Sequence, residues 1–199
     1  MHRVLAWGRA RRWAHHLADF APTLFLQELL TRPATIGAIC PSSRALAAGM
    51  AAQVPLDGGL VIELGAGTGV VTQALLDHGV APENLLVLEL SARFAQRLRQ
   101  RYGQLDIITG NAADLSQLVP PGKKVSAIVS SLPLCSLPAP VTRAILAQWR
   151  HLLVDGGMAV QFTYSLRTPH WQRSLQARQV STRTVWGNLP PATIARFSF

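Results

Sequence analysis

An α/β fold built on a doubly wound, seven-stranded, mostly parallel sheet is what this sequence predicts, and three observations predict it. Val61, Ile62 and Leu64 read as a buried strand that runs into Gly65, Gly67 and Gly69, and Val70 to Asp77 reads as the helix that follows. Glycine serves where the backbone must take positive φ or let a ligand come close, and a strand, a glycine turn and a helix N-terminus together form a cradle for a nucleotide-type ligand. From residue 60 onward, short apolar runs alternate with helical patterns, as they do in α/β chains. The last two apolar runs are joined only by Gly187-Asn188-Leu189-Pro190-Pro191. A turn that short predicts antiparallel pairing.

The elements follow in order. Trp13, Leu17, Phe20 and Leu24 recur at helical spacing in a basic stretch that carries Arg9, Arg12 and His16 on another side of the wheel. Such a helix suits the headgroup layer of a bilayer, with the apolar side inserted and the arginines on phosphates. It also suits an ordinary helix packed on the domain. Pro22 opens a second helix through Leu30, and Arg32-Pro33 ends it. Residues 1–34 are therefore expected to be N-terminal amphipathic membrane-binding or lid helices ahead of a main domain at 35–199. In Ile36-Gly37-Ala38-Ile39-Cys40-Pro41-Ser42-Ser43, either serine can cap a helix over Arg44 to Gln53. Strands are then expected at about 60–64, 85–90, 105–109, 125–131, 157–163, 180–186 and 192–198, with helices at about 69–78, 91–101, 139–152 and 169–176.

Composition narrows the function classes. The chain has 199 residues, 49% of them hydrophobic, enough for one domain with a real core. It has no uninterrupted apolar run of membrane-spanning length and no clean secretory signal at its arginine-rich start. Two cysteines, Cys40 and Cys135, form neither a metal nor a redox spacing, as befits a cytosolic protein, and no metal site is expected. The net charge of +9 points to a polyanion, either nucleic acid or an anionic membrane surface.

The chemistry-bearing residues fall at predicted strand ends. Glu63-Leu64-Gly65-Ala66-Gly67-Thr68-Gly69 is an E-x-G-x-G-x-G run. A dinucleotide fingerprint would want a glycine at 70, where Val70 stands, whereas this form resembles motif I of the class I S-adenosylmethionine (SAM) methyltransferases. Glu89 ends the next apolar run, roughly 20 residues past the glycines, where an acid can accept from both ribose hydroxyls. Its replacement by alanine is expected to abolish SAM binding and leave the fold intact. After the third strand comes Gly110-Asn111-Ala112-Ala113-Asp114. Asn111 suits adenine recognition, and Asp114 offers a helix cap instead. The fourth strand ends in Ser130-Ser131-Leu132-Pro133-Leu134. This resembles the N-[LIV]-P-[aromatic] loop of amino-directed methyltransferases, in which a side-chain oxygen and a backbone carbonyl accept from the target NH. Leu134 replaces the aromatic that stacks on a flipped base, so a base is a poorer target and an amine a better one. Gln161-Phe162-Thr163-Tyr164 closes the fifth strand. One of its two aromatics is expected to face the pocket, where Tyr164 could hold a methylated ammonium by cation–π attraction.

Taken together, the segments Ile36–Ser43, Val61–Gly69, Leu88–Glu89, Ser130–Leu134, Gln161–Tyr164 and Asn188–Ala192 resemble the bacterial phospholipid N-methyltransferases of the soluble, membrane-associated kind. The resemblance implies a Rossmann-like class I methyltransferase fold, SAM as cofactor and phosphatidylethanolamine as substrate, methylated stepwise toward phosphatidylcholine. It implies a cytoplasmic enzyme held peripherally at the inner face of the cell membrane. It assigns cofactor binding to Glu63, Gly65, Ala66, Gly67, Gly69, Glu89, Leu90, Asn111, Ala112 and Ser130, with Asn111 standing where many relatives have aspartate. It assigns the reaction to Ser130, Ser131, Leu132 and Tyr164, and the membrane contact to Arg9, Arg12, Trp13, Leu17 and Phe20. Two readings compete: an rRNA adenine dimethyltransferase, which shares motif I and a similar fourth loop, and a SAM-binding or lipid-surface module without turnover.

Overall fold

The computed structural model describes residues 43–164, 168–188 and 190–199. The expected amphipathic helix with Arg9, Arg12, Trp13, Leu17 and Phe20, the helix through Leu30, the boundary at 34/35 and the stretch 36–42 lie outside the described residues.

The order is α1 (Arg44–Ala51), β1 (Leu60–Leu64), α2 (Val70–His78), β2 (Leu85–Glu89), α3 (Ala92–Arg101), β3 (Asp106–Thr109), α4 (Leu115–Leu118), β4 (Val125–Ser130), α5 (Ala139–Leu152), β5 (Leu153–Thr163), β6 (Gln179–Val185) and β7 (Ala192–Ser198). These strands form one seven-stranded sheet in the order β3-β2-β1-β4-β5-β7-β6. Strands β1 to β5 run parallel, and β7 lies antiparallel between β5 and β6. The reason is length: a few turn residues can close a hairpin but cannot cross the sheet.

Every residue of β1, β2 and β4 is buried, because helices cover both faces of the sheet. On one face, Leu46 and Met50 of α1, Val71 and Leu75 of α2, and Ala95 and Leu98 of α3 pack on Val61, Val87, Val129 and Val160. On the other, Leu115 of α4 and Ile145, Leu146 and Trp149 of α5 pack on Ile62, Leu64, Leu88 and Ile128. Ser43 caps α1 by accepting from the Leu46 N–H at 3.1 Å, which selects Ser43 between the two candidate serines.

Two elements differ from expectation. The helix expected over 169–176 is a 3-10 turn, His170–Leu175, closed by Gln176 at a left-handed φ of 52°. Strand β5 starts earlier than expected: Leu153 already pairs with Val125, and the register then shifts before Met158 pairs with Ala127.

Candidate functional site

The C-terminal strand ends form one stitched edge. The first N–H of each departing loop donates to the neighbouring strand: Gly65 to the Leu88 carbonyl at 2.8 Å, Gly110 to that of Glu89 at 3.1 Å, and Ser131 to that of Leu64 at 2.9 Å. Leu64, Ser130 and Gln161 stand side by side in register across β1, β4 and β5. The glycine turn, Glu89, the Asn111 turn, the Ser130–Leu134 loop and the end of β5 therefore share this edge.

Gly65, Gly67 and Gly69 all take positive φ, at 75°, 54° and 83°. At Gly69, a Cβ would also stand 2.9 Å from Leu98 Cδ2 and 3.0 Å from Tyr102 Cε2, so helix α3 packs where only glycine fits. The Tyr102 hydroxyl donates to the Gly69 carbonyl at 3.0 Å and braces the turn. The sequence reading passed over Tyr102, and only its place one residue past an amphipathic helix hinted at a core role. At Gly67, a Cβ would meet nothing within 4 Å, so this glycine faces open space that a ligand can approach.

The two acids differ in kind. Glu89 is fully buried, and its two carboxylate oxygens accept from the Gly67 and Ser91 N–H groups, each at 2.8 Å. It ties the glycine turn to the start of α3 and retains lone pairs for further donors. Alanine there would strand the part-buried Gly67 N–H and the buried Ser91 N–H, so its removal bears on the fold as well as on the cofactor. Glu63 is also fully buried, beside Thr72 of α2, but neither of its carboxylate oxygens has a hydrogen bond within normal geometry. Burial pushes its pKa up to about 8, and the nearby Glu89 adds to the shift. The Thr72 hydroxyl and N–H nearby lower it only in part, and a buried acid so weakly partnered gains from an approaching cation.

The Asn111 side-chain oxygen accepts from the Ala113 N–H at 3.0 Å and caps the turn Ala112–Asp114. Asp114, the cap weighed earlier, makes no capping bond. Ala112 is buried in the cluster on the α4–α5 face, and Leu90 packs against the same cluster, which gives the edge an apolar shelf beside Asn111. Ala66 is buried on the opposite face.

The fourth loop corrects one expectation. The Leu132 carbonyl accepts from the Leu134 N–H at 2.8 Å and from Gln161 Nε2 at 3.0 Å, so both lone pairs are occupied and it is not an open acceptor. The buried Ser130 hydroxyl accepts from the Leu132 N–H at 3.3 Å. The atoms left open are Ser131 Oγ and Gln161 Oε1, both buried and without partners. Gln161 spends its amide hydrogens on the Leu132 and Phe162 carbonyls, the latter at 2.8 Å, which leaves only its oxygen to offer. The sequence reading placed Gln161 at this edge but gave it no role. A lone polar residue in an otherwise apolar run, Met158 to Phe162, was the available signal.

Phe162 and Tyr164 do not divide between faces. Residues two apart in an extended chain share a side, and both pack on the α1–α3 face, with ring centroids 5.5 Å apart and planes at 77°.

A groove of about 670 Å³ lies between α1 and α2, lined by Arg44, Ala48, Gln73, Asp77 and Arg101 among others, and it includes none of the edge residues above. Among the described residues, no group of three or more His, Cys, Asp or Glu gathers to hold a metal, and no helix is long and apolar enough to cross a membrane.

Comparison with known proteins gives this edge a context. Residues 61–157 match a family model described as a methyltransferase domain. The chain is 30% identical over 146 residues to an ornithine lipid N-methyltransferase of Singulisphaera acidiphila, a match covering 70% of this chain and 76% of the relative. Its fold is similar to that of a Burkholderia thailandensis 1,6-didemethyltoxoflavin-N1-methyltransferase solved with S-adenosylhomocysteine, with a TM-score of 0.64 at 14% identity over 100% of this chain and 92% of that one. It is also similar to the N-methyltransferase NodS of Bradyrhizobium japonicum in complex with S-adenosylhomocysteine, with a TM-score of 0.60 at 17% identity over 90% and 98% of the two chains. The glycine turn after β1, the acid that ends β2 and a relative matched over three quarters of its length agree, and the chain belongs to the class I SAM-dependent methyltransferases, with SAM as its cofactor.

Proposed function

We propose that this enzyme methylates the amino nitrogen of a membrane lipid, with phosphatidylethanolamine and its partly methylated forms as substrates. One observation carries the choice of nitrogen: this edge buries oxygens, on Glu63, Ser131 and Gln161, that make no hydrogen bond of good geometry within the protein. Unpaired buried acceptors cost stability unless a ligand brings N–H groups or positive charge. The lipid N-methyltransferase relative supports a lipid as the bearer of that amine.

The residues fit SAM. Glu63 would take the ammonium of its amino-acid end, Glu89 the ribose hydroxyls through its remaining lone pairs, and Leu90 with Ala112 the flat base, while the open side of Gly67 admits it. When bound, SAM supplies a methyl group on a positively charged sulfur. The chain's part is orientation. Ser131 Oγ and Gln161 Oε1 accept N–H bonds from the substrate amine, and the Leu132 carbonyl is held out of the way by Gln161 and Leu134. Burial at this edge favours the neutral amine and eases loss of its proton to water before attack. Leu134 is 3% exposed and packs in the α4–α5 cluster, which leaves no ring for a flipped base and disfavours the rRNA reading. The basic, tryptophan-bearing sequence of residues 1–20 supports a peripheral hold on the cytoplasmic face of the membrane.

The relative favours a second substrate on the same chemistry, ornithine lipid, whose headgroup also ends in an amine. The test uses methyl-labelled SAM with vesicles of phosphatidylethanolamine, vesicles of ornithine lipid, and undermethylated ribosomal RNA. Label in phosphatidylethanolamine is the expected result. Label in ornithine lipid alone moves the substrate, and label in RNA alone overturns the lipid reading.

A further inference from the structure

We propose that the β6–β7 turn, with Trp186 as its first residue, is a docking point that presses the catalytic edge onto an anionic lipid surface. The idea rests on the lipid reading above for the identity of the surface. Three large hydrophobics stand exposed among the described residues: Leu56, Val180 and Trp186. Leu56 precedes β1 and Val180 pairs with Phe197 far down the hairpin, so both lie at the edge opposite the site. Trp186 alone lies at the catalytic edge. Val185, just before it, pairs with Ala192, and the next rung joins Thr184, Thr193 and Thr163 at the end of β5. Two strand spacings put the turn about 10 Å across the sheet from the end of β5. Trp186 is 80% exposed, the most open of the three.

The turn that lifts it is built rather than loose. Asn188 is 3% exposed, accepts from the Ser43 N–H at 3.0 Å and donates to the Pro190 carbonyl at 2.8 Å. A Cβ on Gly187 would stand 3.6 Å from Ala45 Cβ, so the turn seats against the start of α1. A buried side chain thus fixes an indole in water, at a real cost in exposed apolar area. An indole suits the layer where lipid headgroups meet acyl chains, with an apolar body and one N–H to donate.

The charge on this edge points the same way. Helices α1, α2, α3 and α5 all start here, and none has an acid in its first turn. Arg44 and Arg93 instead occupy first turns, where a cation opposes the helix dipole. Of the six exposed acids among the described residues, Asp57, Asp77, Glu83, Asp106 and Asp155 lie toward the opposite edge, and Asp114, in the turn after β3, is the one on this edge. Positive helix ends, first-turn arginines and one raised indole complement a surface of lipid phosphates.

The test compares the full chain with Trp186→Ala and Trp186→Phe by sedimentation with vesicles of phosphatidylethanolamine and phosphatidylglycerol. Quenching of the intrinsic fluorescence by brominated lipids serves as a second readout. Trp186→Ala should bind about five- to tenfold more weakly, and Trp186→Phe should fall between it and the wild type. Melting temperature and SAM affinity should stay unchanged, and the quenching difference between wild type and Trp186→Phe should report an indole within the bilayer. Equal vesicle binding by all three proteins, or loss only of binding to structured RNA, overturns the proposal. The two ideas fail separately. A wild type that makes no methylated lipid but still docks through Trp186 loses only the substrate reading. One that methylates lipid while Trp186→Ala sediments normally loses only the docking point.

Discussion

Replacing Glu63 by glutamine should stabilise this enzyme, and by an amount that grows with pH. Glu63 is fully buried with no hydrogen bond of good geometry on either oxygen, and burial raises its pKa from 4.5 to about 8, even though the nearby Thr72 hydroxyl and N–H pull it down in part. Between those values the native state holds a proton that the unfolded chain has released, so stability falls as pH rises through the window. The stability associated with the protonated acid is intact below about pH 4.5 and is lost progressively up to about pH 8. With these two pKa values, the penalty grows by about 4 kcal/mol between about pH 5 and pH 9. Glutamine cannot ionise, so its own burial cost does not change with pH. At 2–4 °C per kcal/mol for a domain of this size, the melting temperature of Glu63→Gln should gain roughly 10 °C on the wild type across that range. The assay is thermal unfolding of both proteins, without ligand, in matched buffers. A difference in melting temperature that stays flat with pH would refute the argument, because it would mean that Glu63 is ionised or solvated in the native state. The same logic extends to the cofactor. If a cation meets Glu63, SAM binding at about pH 7 should release about 0.9 proton in the wild type and none in Glu63→Gln, read by calorimetry in buffers of different ionisation enthalpy.

Glu89→Ala should lower stability by about 3 kcal/mol as well as removing SAM binding, because it strands the Gly67 and Ser91 N–H groups. A urea midpoint equal to wild type would show that those bonds contribute nothing. Gly69→Ala combines a φ of 83° with a Cβ 2.9 Å from Leu98, and should cost about 1–3 kcal/mol in thermal or urea unfolding. Gln161→Leu removes the donor that holds the Leu132 carbonyl and one open acceptor. It should lower kcat about 10- to 100-fold while SAM affinity, measured by calorimetry, stays near wild type. Equal losses in both would mark Gln161 as a fold residue only. Ser131→Ala should raise KM for the amine more than it lowers the melting temperature, and an unchanged KM would remove Ser131 from the substrate site.

Periodicity and punctuation in the chain determined the α/β class, the seven strands and the antiparallel ending. They did so because buried parallel strands must be apolar throughout and a five-residue turn cannot make a crossover. The glycine spacing from 65 to 69 and the acid at 89 were readable for a similar reason: positive φ and a strand-end carboxylate are local demands that few residue types meet. What the chain could not reveal depends on partners distant in sequence. Glu63 and Glu89 are both strand acids near the same turn, yet Glu89 accepts from two backbone N–H groups and Glu63 has no hydrogen bond of good geometry, and only the packing of α2 and α3 separates them. Leu132 presents the same carbonyl in any loop of its type, but Gln161, 29 residues away, closes it and so moves the open acceptors to Ser131 and to Gln161 itself. Trp186 reads as one more apolar residue before a turn. Its place at the edge formed by the C-terminal ends of β1 to β5 follows from β7 lying between β5 and β6, and its exposure from a buried Asn188 bonded to Ser43 across the fold. Local rules of backbone and hydrophobicity wrote the elements, whereas the hydrogen-bond accounts of buried polar groups closed only when the tertiary structure brought those groups together.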